Sequence, residues 1–104
     1  MKKARITVQA ASFVNEWAKW AEIQIGPGFV PLIMWQAGDS GNPKFVPQLT
    51  LGFERRDAVD RSRVMECEGK EVEIYQYAPD ELFGEEAQKF VDVRNNRLVL
   101  AEES

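Results

Sequence analysis

The sequence predicts an α+β fold. One main N-terminal helix lies on a mixed or mainly antiparallel sheet of about six to seven strands, with a short second helix later in the chain. Two observations carry this prediction. The stretch "QAASFVNEWAKWAE" places Phe13, Val14, Trp17, Ala18 and Ala21 on one helical face. Elsewhere, runs that alternate or stay extended are bounded by Gly, Pro, Asn and Asp, the punctuation of strands.

Each element can be justified in order. "RITV", Arg5 to Val8, alternates and reads as a short strand. Thr7 or Ser12 could supply the N-cap oxygen of the helix, and Thr7 is preferred because Ala10, Ala11 and Ser12 make a favourable first turn. Trp20 lies about 100° from the centre of the apolar stripe, which puts it at the edge of the core or in solvent. "IGPGF" ends the helix. "FVPLIMWQ" and "KFVPQLTLGFE" are extended runs joined by "AGDSGNP", a connection rich in turn formers, so they read as a hairpin. Pro31 and Pro47 lack an N–H and belong near strand starts, edges or bulges. "ERRDAVDRSR" reads as a charged loop, and "VMECE" with "KEVEIYQY" as a strand pair around Glu68-Gly69-Lys70. In "APDELFGEE", Pro79 and Asp80 start a one-turn helix that Gly84 stops, with Leu82 and Phe83 inward. Asn95-Asn96 divides "KFVDVRNNRLVLAEE" into two strands, because both Asn tolerate positive φ.

Composition narrows the function. At 104 residues, 44% hydrophobic and 29% charged, the chain fits one ordinary globular domain, residues 1–104, without repeats or a linker. "MKKARITV" is not followed by an apolar run of signal-peptide length, and Phe29 to Trp35 is too short to span a bilayer, so a cytoplasmic location is expected. The chain has no histidine, which removes Ser-His-Asp and Cys-His nucleophile systems and most zinc sites. The single Cys67 agrees with a reducing compartment. Charge is uneven: five basic and three acidic residues precede Glu54, and eight and fourteen follow from Glu54 onward. From Glu66 to Glu86, eight acidic residues face the single Lys70, a field that repels nucleic acid and attracts a basic protein surface. A solvated face that only aids solubility is the commoner cause of such a run.

The order of strand, helix, "PLIMW", "GDSG", long strand, charged loop, strand, "LFG" turn and final hairpin resembles the HesB-like domain, the fold of A-type iron-sulfur carriers. The resemblance covers most of the chain. It implies a Gly-Cys-Ser-Gly ligand loop, and here Gly38-Asp39-Ser40-Gly41 stands in that place with Asp39 at the cysteine position. The resemblance also implies a C-terminal cysteine pair, which "NNRLVLAEES" lacks. Thiolates are the soft donors that clusters need, so the resemblance implies a member without a cluster.

Several residues invite a functional reading. Asp39 on its Gly-flanked turn could hold a hard cation, yet the spacing of a calcium loop is missing, and a turn-capping aspartate is the simpler reading. Glu71, Glu73 and Tyr75 share one face of a strand, and Asp80 and Glu81 follow in the same acidic stretch. An exposed aromatic among carboxylates suits a basic protein partner, and these five residues form the expected partner-binding surface. Arg55, Arg56, Arg61 and Arg63 are offset by Glu54, Asp57 and Asp60, so the loop reads as self-compensating rather than as a phosphate site.

The expectation is a non-enzymatic, acidic binding or regulatory protein. It needs no cofactor, binds neither nucleic acid nor membrane, is a monomer or homodimer, and meets a basic protein partner. Two alternatives stand beside it. One is a metal or iron-sulfur-related carrier using Asp39, with Cys67 as a further donor across a dimer interface. The other is an inhibitor or immunity protein for a basic enzyme.

Overall fold

The helix begins where a threonine hydroxyl is available to cap it. In the computed structural model, which describes residues 3–38, 41, 47–84 and 88–102, Thr7 is extended and its side chain accepts from Ala10 N–H at 3.1 Å. The same hydroxyl donates to Asp92 Oδ1 at 2.9 Å, so the cap is also a tether to a distant strand. Helix α1 runs Val8–Ile25 and closes at Gly26, whose φ of 96° is costly for any residue with a Cβ.

The strands are β1 (Arg5–Ile6), β2 (Phe29–Gln36), β3 (Gln48–Arg55), β4 (Val64–Cys67), β5 (Lys70–Gln76), β6 (Lys89–Arg94) and β7 (Arg97–Glu102). They form one mixed sheet in the order β3-β2-β5-β4-β1-β6-β7. The β2–β3, β4–β5 and β6–β7 pairs are antiparallel, as their short connections predict. The parallel neighbours β1–β4, β1–β6 and β2–β5 join residues far apart in the chain. The sheet curls, and its two edge strands meet where Arg97 Nη2 donates to Gln48 Oε1 at 3.1 Å.

The main core lies between α1 and the strand faces turned toward it. Ala10, Val14, Ile33, Met65, Ile74 and Val91 are its most deeply buried members, and half-buried Val72 packs against it on the same face of β5 as Ile74. Alanines at positions 10, 11 and 21 let the helix backbone approach the sheet closely. A second, smaller core covers the opposite face of β2 and β5: Val30, Leu32 and Tyr75, with Val59, Val64 and Tyr77 packed against them. The segment after β3 roofs this outer core. Asp60 N–H donates to the Tyr77 hydroxyl at 2.7 Å, and Arg56 N–H donates to Gly28 C=O at 2.8 Å.

Two expectations need correction. The short second helix is a 3-10 turn, Asp80–Phe83, bounded by Pro79 and Gly84 as the sequence suggests. Only one turn fits before the positive φ of Gly84, 76°, and Phe83 is its buried anchor. Pro31 is the third residue of β2, near the strand start as expected. Ile33 C=O accepts from Tyr77 N–H, so alternate residues of β2, Pro31 included, aim their backbone toward β5. Pairing with β5 begins only at Leu32, so the missing N–H costs no ladder bond. Trp17, placed by its spacing in the apolar stripe, is 44% exposed.

Candidate functional site

Trp17 marks the site. At about 100° per residue it lies about 20° from Ala10 and about 40° from Ala21 around the helix axis, and both of those are buried. The buried residues Ala10, Ala21, Val14 and Ala11 span about 100° to one side of Trp17, so Trp17 stands at the edge of the buried stripe, over a hollow. That hollow is a groove of about 410 Å³ between α1, β3 and the β6–β7 turn.

The helix contributes Phe13, Trp17 and Trp20 to the groove, and β3 contributes Leu51 and Phe53. Trp17 and Trp20 meet edge-to-face, with centroids 5.6 Å apart and planes at 77°. The other end is polar. Asn95 and Asn96 adopt φ of 51° and 60°, the left-handed pair that a two-residue hairpin turn requires. This turn delivers Asn96 and Arg97 to the groove, where Gln48 and Thr50 of β3 also lie. Arg97 is the one charged side chain lining it among the described residues, and its side-chain partner there is the neutral Gln48 amide. A second hollow of about 330 Å³, flanked by Trp35 and Val99, shares Gln48, Leu49, Arg97 and Leu98 with the first. An apolar cleft with a few converging polar groups is the usual form of a small-molecule site.

The residues expected to bind a basic partner are placed differently from that expectation. Tyr75 is 4% exposed and belongs to the outer core, because Val59, Val64 and Tyr77 cover the face of β5 that carries it. It is no exposed anchor. Glu71 forms an ion pair with Lys3. Glu73 accepts from Arg56 twice, at 3.1 and 2.6 Å, and this contact raises the Arg56 pKa above its ordinary value. Asp80 accepts from Gln76 Nε2 at 3.0 Å and lies 3.7 Å from Arg63 Nη1. Glu81 is exposed on the 3-10 turn and, with Glu68, has no ion-pair partner among the described residues. Thus basic residues from elsewhere in the chain locally offset Glu71, Glu73 and Asp80. Exposed pairs of this kind add little to stability but do weaken the field seen from outside.

Asp39 lies outside the described residues. Among the described residues no group of three Cys, Asp or Glu side chains could hold a metal ion. Cys67 is half-buried at the end of β4. Burial, and then the adjacent Glu68 carboxylate, push its thiol pKa up, so it stays protonated and is a poor nucleophile or ligand.

Sequence reasoning singled out Trp20 but missed the groove. Nothing in "NNRLVL" distinguishes Arg97 from any surface arginine, and Trp17 had every reason to be core. No family model matches the chain, and no curated protein or solved structure matches it either.

Proposed function

We propose that this is a non-enzymatic binding protein that holds a small, largely apolar ligand in the groove between α1, β3 and the β6–β7 turn. The carrying observation is the edge-to-face pair Trp17 and Trp20, two exposed indoles beside the helix's buried stripe that wall the groove. Keeping a large aromatic surface wet costs free energy that the fold could recover by filling the hollow with its own side chains. A ligand gives that surface a use. The absence of histidine from the sequence and the protonated Cys67 thiol favour binding over catalysis. The HesB-like reading of the fold belongs to this proposal too, and it rests on the order of elements and the Gly38–Gly41 turn in the sequence.

Titration with Nile red, a neutral apolar dye whose emission rises and shifts to the blue in apolar surroundings, tests the proposal. Saturable one-to-one binding by native protein, lost in a folded W17A/W20A variant, is the expected result. Binding that ignores the two tryptophans, or no binding to native protein, would remove the groove as the functional site.

A further inference from the structure

Resting on this reading of the groove, we infer that its ligand is an aromatic monocarboxylate whose carboxylate is held by Arg97 and whose ring system lies against Trp17 and Trp20. The groove is asymmetric. One end offers indole faces and edges in a T-shaped pair, which accept a flat ring by offset stacking or edge contact. The other end offers a guanidinium with no carboxylate partner among the described residues. Among the described residues no acidic side chain lines the groove, although acidic residues outnumber basic ones in the chain, 17 to 13. The net charge of −4 opposes any anion at a distance. Salt screens that long-range field beyond about 8–10 Å, so the local cation decides.

The donor set selects a carboxylate. A guanidinium presents parallel N–H groups that match the two oxygens of one carboxylate. Gln48 spends its Oε1 on accepting from Arg97, which leaves its Nε2 as a donor beside the same group. Asn96 lines the groove as well and can donate. A single arginine neutralises one negative charge, so a monoanion suits the site better than a phosphate dianion. A volume of about 410 Å³ is near the lower limit of small-molecule sites, which sets the scale at a fused bicyclic ring rather than a long lipid. A flat, rigid acid also loses little conformational freedom on binding.

The experiment is isothermal titration calorimetry of the native full chain with 2-naphthoate and with its neutral isostere 2-naphthamide, at low and high salt. Naphthoate is expected to bind about tenfold more tightly, the usual scale for one charge-assisted contact, with the preference shrinking as salt rises. R97Q should make the two ligands equal and R97K should restore part of the preference, each variant being checked for a native unfolding transition. Equal affinities in native protein would overturn the carboxylate assignment and leave the apolar groove standing. Binding of neither ligand would remove the groove reading and this inference together. A concentration-dependent dimer that excludes both ligands would assign the groove to a second copy of the chain and overturn the proposal.

Discussion

Arg97 Nη2 donates to Gln48 Oε1 at 3.1 Å, which joins the first residue of β7 to the first residue of β3 across the two edges of the sheet. The bond is exposed and its acceptor is neutral, so it locates the seam more than it closes it. Q48A is therefore expected to cost about 0.5–1.5 kcal/mol, the ordinary net value of one hydrogen bond, with an unchanged urea slope. Urea unfolding checks this. A loss above about 3 kcal/mol would mean that the curl of the sheet depends on this bridge, more than one such bond supplies.

Thr7 does two jobs with one hydroxyl. It caps α1 by accepting from Ala10 N–H and ties the helix start to β6 by donating to Asp92. T7A removes both and should destabilise the protein by about 1–2 kcal/mol, while T7S, which keeps the oxygen, should retain most of that. Equal losses for the two variants in urea unfolding would place the effect in the Thr7 methyl rather than in the hydrogen bonds.

Tyr75 separates a core residue from a surface anchor. Buried among Val30, Leu32 and the residues that roof them, it should cost about 3–5 kcal/mol when changed to Ala, the range for large aromatic truncations. A partner-facing tyrosine would cost within about 0.5 kcal/mol. Thermal or urea unfolding of Y75A decides between them, and hydrogen exchange should show the loss spreading to residues 56–63, which lie over the same cluster.

The elements legible in the sequence are those written in local chemistry. A capping hydroxyl at Thr7, two asparagines that accept positive φ, and the alternation that turns Ile74 inward each act within a few residues. The strand order is not local. The two-residue strand β1 lies between β4 and β6, and no pattern in "RITV" says that it has parallel neighbours on both sides. The outer core escaped for a related reason. Val59 is one apolar residue within a charged loop, and only the folded chain shows that this loop covers Tyr75. Periodicity placed Trp17 correctly around the helix axis but could not show that the facing surface is hollow there. Arg97 became a candidate only when the turn brought it to that hollow.

The 3-10 turn Arg61–Arg63 carries a local test of electrostatics. Asp60 Oδ1 accepts from the Ser62 hydroxyl at 2.6 Å and from Ser62 N–H at 3.0 Å. These bonds favour the charged form and hold the Asp60 carboxyl below its ordinary pKa, with the hydroxyl contributing most and Arg63 adding less. A carboxylate with a depressed folded pKa adds stability that is fully present above the unfolded value. It is lost as pH falls through the folded one. S62A should therefore raise the Asp60 pKa toward the usual aspartate range while the backbone bond keeps it partly lowered. S62A should also reduce the protection of this turn from hydrogen exchange near neutral pH and leave it unchanged at a pH where Asp60 is protonated in both proteins. Carboxylate carbon shifts followed by NMR across the acid range measure the first effect, and exchange at the two pH values measures the second. An Asp60 titration identical in native protein and S62A would show that the hydroxyl bond does not set the shift.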